Sequence, residues 1–198
     1  AYVIVGIVLF AAAAGIAYSA FSHVQLRVDT WLDPWADWQN RGYQLVQSLF
    51  ALGSGGLSGQ GLGLGRPDLI PNAATDFVFS AIGEELGLYG TVAIIIAFLL
   101  FVGTGFRIAV QASRPFPKLL AAGLTTIVGI QTFVIIGGVI RVIPLTGVTL
   151  PFVSYGGSSL IANFVLLAIL LRVSDETAID AQAEVDAEVR LEAAGVAS

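Results

Sequence analysis

Cysteine and methionine are both absent from the 198 residues, and histidine occurs once, at His23. The lack of cysteine excludes disulfides and thiolate chemistry, and a single histidine rules out a multi-histidine metal site. Charge is scarce as well. Charged residues make up 12% of the chain and hydrophobic ones 56%, with a mean hydropathy of +0.86, whereas an ordinary soluble domain carries roughly twice that charged fraction. The formal charge of −5 belongs to the stretch after Val173, where Asp175, Glu176, Asp180, Glu184, Asp186, Glu188 and Glu192 are opposed by Arg190 alone. With neither a basic stripe nor a reading motif, nucleic-acid binding has no support. The absence of methionine and the apolar run that opens at Ala1 lead us to expect an excerpt of a longer protein.

What the chain has in abundance is long apolar runs. A bilayer core about 30 Å thick needs roughly 20 apolar residues in a helix, and four stretches meet that length. The sequence therefore predicts an all-α integral membrane chain with about four transmembrane helices, over residues 1–20, 75–106, 119–140 and 155–172. Thr75 or Asp76 is the expected N-cap of the second. Between the second and third spans, residues 107–118 contain Arg107, Arg114 and Lys118 and no acid, which marks a cytoplasmic loop. The acidic tail, 173–198, then falls on the cytoplasmic side. It can form a short amphipathic helix over Ala181 to Leu191 or remain solvated and disordered. Residues 21–74 fall outside. Pro144, Gly147, Pro151 and the Gly156–Gly157 pair interrupt the approach to the fourth span, so 141–154 is expected to be an extracytoplasmic or re-entrant loop.

The outer segment 21–74 is too long for a simple connection. Trp31, Trp35 and Trp38 suit anchors at the headgroup level, and Tyr43 to Leu52 places Leu45, Leu49 and Leu52 at the spacing of an interfacial helix. A glycine-rich run follows, GSGGLSGQGLGLG from Gly53 to Gly65. Its backbone N–H groups can cradle an anion, or the run can serve as a flexible connector; it matches neither a P-loop nor a dinucleotide fingerprint.

Ionisable groups within a span are costly and point to function. Asp76, Glu84 and Glu85 are such groups. On a continuous helix Ser80, Gly83, Gly87 and Gly90 fall within about 40° of Asp76, which would then head a stripe of small residues facing protein or a cavity. The bland alternative is a capping aspartate with two glutamates at the headgroup boundary.

Three stretches together resemble the bacterial shape, elongation, division and sporulation (SEDS) family of membrane glycosyltransferases, RodA, FtsW and SpoVE. They are DPWADWQNRGYQLVQSLFALGSGGLSGQGLGLG (Asp33 to Gly65), LIPNAATDFVFSAIGEELGLYG (Leu69 to Gly90) and RVIPLTGVTLPFVSYGGSSL (Arg141 to Leu160). The last carries the family signature at Pro144, Gly147, Phe152, Val153, Ser154, Tyr155, Gly156, Gly157 and Ser158. GRPDLIP (Gly65 to Pro71) is closer to the RodA branch of actinobacteria. The resemblance implies the last four spans of a ten-span fold in the bacterial cytoplasmic membrane. It also implies glycan polymerisation from lipid II and undecaprenyl-pyrophosphate-linked strands, in elongation or division, with a class B penicillin-binding protein as partner. The excerpt alone is expected to be inactive.

The family's essential aspartate, in its Thr-Asp-Phe motif, falls on Asp76. Asp76 is therefore the candidate catalytic base. Arg66, Arg41 or Arg27, with Ser54, Gly55 and Gly56 of the glycine run, are candidates for binding the substrate pyrophosphate, aided by backbone N–H groups or by a divalent cation, Mg2+ or Mn2+. Glu84, Glu85, Ser154, Tyr155, Gly156 and Gly157 are candidate supporting residues. Two other classes fit the same pattern: a lipid II flippase, since broken helices and intramembrane carboxylates are also transporter features, and a membrane scaffold for the synthase complex.

Overall fold

A computed structural model describes residues 2–196; the parts of the sequence readings that fall on Ala1, Ala197 and Ser198 lie outside the described residues. The order is α1 (Tyr2–Ala20), α2 (Ser22–Leu32), α3 (Tyr43–Gly55), a single 3-10 turn (Pro67–Leu69), α4 (Val78–Gln111), α5 (Pro115–Val139) and α6 (Gly157–Val196). Among the described residues there is no strand, and four helices, α1, α4, α5 and α6, are long and apolar enough to cross a membrane. The chain is an all-α integral membrane chain. It divides into two compact units, Ala1–Gly90 with Val134–Val148, and Thr91–Phe133 with Thr149–Ser198.

In the first unit α1 is apolar all round and packs against α2. Val3, Ile4 and Phe10 are 75%, 67% and 77% exposed, a surface that suits lipid or further helices. Phe21 turns the corner into α2 with extended backbone. The polar helix α2 ends at Asp33, whose Oδ1 accepts from the Trp35 N–H at 3.1 Å, and Pro34 prevents continuation. The buried face of α3 is Leu45, Val46, Ser48, Ala51 and Gly55. Leu49 and Leu52 are only half-buried, because α3 meets α4 through its small residues. The Ser48 and Ser80 hydroxyls bond to each other at 2.6 Å, and Gly55 lies against the Gly83 carbonyl, where a side chain has no room.

Helix α4 begins at Val78, later than the expected N-cap at Thr75 or Asp76. The Asp76 and Phe77 N–H groups both bond to the Asn72 carbonyl, which closes a turn through left-handed Asn72, and Phe77 supplies the carbonyl for the first helical bonds, from Ser80 and Ala81. Asp76 therefore lies two residues before the helix, next to its N-cap Phe77. The helix is also broken at Gly87 (φ 66, ψ −160), a conformation open almost only to glycine. The break frees backbone groups, and the glycine-rich run takes them up. Gln60 and Gly61 donate to the Glu84 and Glu85 carbonyls at 2.9 and 3.0 Å, and Leu88 and Tyr89 donate to those of Gly56 and Leu57 at 3.0 and 3.2 Å. The run is thus anchored on α4 rather than a flexible connector, and the N–H groups of Gly59, Gln60 and Gly61 already have partners. The small-residue stripe is therefore not continuous from Asp76: Asp76 precedes the helix, Ser80 and Gly83 meet α3, and the helix breaks at Gly87 before Gly90.

Helix α5 starts at Pro115, suited to a first helical position. It ends where Val142 bonds back to the Gly137 carbonyl at 2.8 Å through left-handed Arg141. The Arg141 guanidinium donates to the Trp31 and Leu32 carbonyls at 2.9 and 3.0 Å, and Trp31 Nε1 donates to the Arg141 carbonyl at 3.0 Å. Arg141 thus caps the C-terminus of α2, where a cation also complements the helix dipole.

In the second unit, the core is Ala109, Ala121, Leu170 and Val173, with Phe101, Ile108 and Leu120 packed against it. Phe152 makes edge or tilted contacts with Phe101 and Phe164, ring centroids 5.7 and 5.8 Å apart. Helix α6 starts at Gly157 and continues through the acidic tail to Val196, so the described part of 173–198 is helix rather than disordered chain. The alanine- and glutamate-rich composition favours this. Arg172 pairs with Glu176 at 3.0 Å, and Arg114 with Asp180 at 2.8 Å.

Candidate functional site

The first unit contains a cavity of about 200 Å3 lined by Arg27, Arg41, Gln44, Asp76, Trp31 and Gly147, among others. Four pieces of chain build it: α2 supplies Arg27 and Trp31, the start of α3 supplies Gln44, the turn before α4 supplies Asp76, and the loop after α5 supplies Gly147. The Asp76 carboxylate enters no ion pair among the described residues. Arg27 is fixed at one end, its Nη1 donating to the Leu145 and Thr146 carbonyls at 3.2 and 2.7 Å. Its Nη2 faces the cavity beside Gly147. A Cβ on Gly147 (φ +71) would lie 3.5 Å from Asp76 Oδ2 and 3.8 Å from Arg27 Nη2, so the missing side chain keeps the space between carboxylate and guanidinium clear. Among the described residues Arg41 pairs with Asp37 alone, at 3.8 Å, with 69% of its side chain exposed; a pair so exposed leaves it free to turn to another anion.

The cavity therefore combines one partly buried carboxylate lacking an internal ion pair with two guanidinium groups. A carboxylate of this kind can accept a proton from a bound hydroxyl, and two arginines can hold a developing phosphate charge. Asp76 is the sole carboxylate among the lining residues, and among the described residues no group of three His, Cys, Asp or Glu side chains occurs, so a divalent cation at this cavity would rest on Asp76 and on the substrate's own phosphates.

The other candidates lie elsewhere. Arg66, Ser54 and Glu84 line a separate cavity, so Arg66 is not brought together with Asp76. Gly55 is buried against α4, and the Gly55 and Gly56 carbonyls accept from Gly59 and Leu88; both glycines pack and pair rather than line the Asp76 cavity. Glu85 is half-buried and contributes its backbone carbonyl to the glycine run. Ser154, Tyr155, Gly156 and Gly157 belong to the second unit. There Ser154 Oγ accepts from the Leu150 N–H at 2.8 Å and shapes the turn before α6, while Tyr155 is 76% exposed. Gln44 and Trp31 also line the cavity. From sequence Trp31 reads as a membrane anchor and Arg141, at the outer end of a span, as either a snorkelling anchor or a site residue; neither pattern reveals a partner 110 positions away.

The model of the family described as Cell cycle protein (FtsW, RodA, SpoVE) matches residues 1–179. The chain belongs to this family. Over 173 residues it is 54% identical to the peptidoglycan glycosyltransferase RodA of Mycobacterium bovis, covering 87% of this chain and 37% of that protein. Over 150 residues it is 48% identical to a probable peptidoglycan glycosyltransferase FtsW of Geobacter metallireducens, covering 75% of this chain and 40% of the relative. A solved chain from a peptidoglycan synthase complex that coordinates polymerization and crosslinking superposes with a TM-score of 0.72 at 30% identity, over 89% of this chain and 49% of that one. The chain thus spans less than half the length of these family members. Membership, with four helices able to span the bilayer, makes it a multi-pass protein of the bacterial cytoplasmic membrane.

Proposed function

We propose that this chain carries the acceptor-activating part of a peptidoglycan glycosyltransferase that polymerises lipid II at the outer face of the membrane. The observation that supports it most is the meeting of Asp76 with Arg27 and Arg41 in one cavity. In the reaction a sugar hydroxyl attacks the anomeric carbon of the donor. The new glycosidic bond forms as the bond from that carbon to the isoprenyl pyrophosphate breaks. Asp76 takes the hydroxyl proton, and the charge that gathers on the departing pyrophosphate is met by Arg27 and Arg41. Fixing Arg27 through Leu145 and Thr146 gives it a set position before substrate arrives, which is what such stabilisation requires.

A class B penicillin-binding protein as partner is part of the same proposal. It is supported by the fold's similarity to a chain of a synthase complex. The test is reconstitution of the full-length protein with its partner in vesicles, with lipid II supplied on the outer side only. Glycan strands are the expected product. Transfer of lipid II across the bilayer without strand formation would contradict the proposal and favour a transporter.

A further inference from the structure

The glycine-rich run and α3 enclose, with the start of α4, a second cavity of about 220 Å3 that the proposed reaction does not use. Glu84 lines it. That residue is 6% exposed, its Oε2 is buried with no hydrogen-bond partner, and among the described residues no basic side chain pairs with it. A carboxylate so placed is costly unless it meets a donor or a cation. Arg66 lines the same cavity but stays apart from Glu84. Its contact with Asp68 is 3.9 Å long between side chains 68% and 70% exposed, a pairing of little strength. The lining thus combines a buried anion with an exposed cation that has only a weak partner.

We propose that this cavity binds a compact zwitterion, a primary ammonium on Glu84 and an adjoining phosphate on Arg66, the chemistry of an aminophospholipid headgroup. The remaining lining suits that group. Ser54 Oγ donates its own proton to the Ala51 carbonyl at 2.9 Å and so keeps its lone pairs for a second ammonium proton. Gln47 and Gln60 bring amide groups to the same walls. The volume is below the roughly 300–1000 Å3 of sites for drug-sized ligands, as a headgroup requires. Lipid is also a natural cover for the apolar surface beside it. Phe50 and Leu69 on the cavity are 55% and 40% exposed, and Leu62 and Leu64 on the glycine run are 76% and 71% exposed, where acyl chains would lie against them.

The site is distinct from the Asp76 cavity, and its test reads ligand binding rather than polymerisation. Full-length protein in nanodiscs would be examined by native mass spectrometry with phosphatidylethanolamine, phosphatidylcholine or phosphatidylglycerol, and in detergent by titration with free O-phosphoethanolamine. Phosphatidylethanolamine should be retained at least tenfold better than phosphatidylcholine, whose quaternary ammonium has no proton to donate. Glu84→Gln, nearly the same shape, should remove that preference, and Arg66→Ala, at an exposed position unsuited to disrupt folding, should weaken retention severalfold. Binding of O-phosphoethanolamine without lipid preference would assign the site to a soluble zwitterion instead. Equal retention of the two lipids with no O-phosphoethanolamine binding, or an unchanged preference in both variants, would overturn the proposal.

Discussion

Replacing Gly87 by alanine tests how the first unit is held together. At φ 66 and ψ −160 an alanine is strained, at a cost of about 1–3 kcal/mol. Its Cβ would also fall upon the Gly59 nitrogen and the Leu57 carbonyl, and relieving the overlap means moving the glycine run off α4. Four backbone hydrogen bonds cross that seam, from Gln60, Gly61, Leu88 and Tyr89. Losing two of them adds about 1–3 kcal/mol at roughly 0.5–1.5 kcal/mol each. The sum, about 2–6 kcal/mol, lowers the Tm of the full-length protein, by fewer degrees per kcal/mol than in a shorter chain. The assay is thermal unfolding of the full-length protein in detergent, with hydrogen exchange followed at residues 60, 61, 88 and 89. Gly53→Ala is the control, because that glycine lies within α3 and a Cβ there meets nothing within 4 Å; it should be neutral or stabilising. A Gly87→Ala protein that melts with wild type and keeps those amides protected would refute the reasoning.

Arg141→Met removes the guanidinium bonds to the Trp31 and Leu32 carbonyls and should cost about 1.5–3 kcal/mol, read as a lower Tm and altered tryptophan fluorescence. Ser80→Ala leaves the Ser48 hydroxyl buried without its partner and should cost about 1–3 kcal/mol, whereas Ser48→Ala with Ser80→Ala should cost less than the two single changes added together in a double-mutant cycle. Arg27→Ala and Arg41→Ala should each slow lipid II polymerisation about tenfold to a thousandfold if they stabilise the departing pyrophosphate. Arg27 should be the more damaging, since its fixed position is lost with it, and steady-state rates across lipid II concentrations decide the order.

Long uncharged runs made the spanning helices legible, because lipid imposes a length and composition that few other environments require. Asp76 stood out for the same reason, as a charge where charge is expensive. Four features were not legible. The break at Gly87 hides in a run that reads as continuous helix, since glycine is compatible with both outcomes and the glycine-rich partner that satisfies the freed groups lies about 30 residues earlier. The role of Arg141 depends on carbonyls at positions 31 and 32, and no local pattern encodes a contact over such a separation. The choice among the arginines was open in the sequence because nothing local tells which of Arg27, Arg41 and Arg66 comes to lie beside Asp76; folding places the first two on the Asp76 cavity and the third on another. Acid-rich sequence after Asp175 was compatible with disorder, yet Arg114, 66 positions away, binds Asp180 and helps hold that part of α6.

Asp76→Asn in the full-length protein tests the central claim most directly. The amide keeps the shape of the side chain and loses the capacity to take a proton, so partner binding and Tm should hold while polymerisation of lipid II falls by about 10²–10⁴-fold or more. Glycan strands would be resolved on gels after reconstitution with outward-supplied lipid II. A well-folded Asp76→Asn protein that polymerises at the wild-type rate would contradict the account.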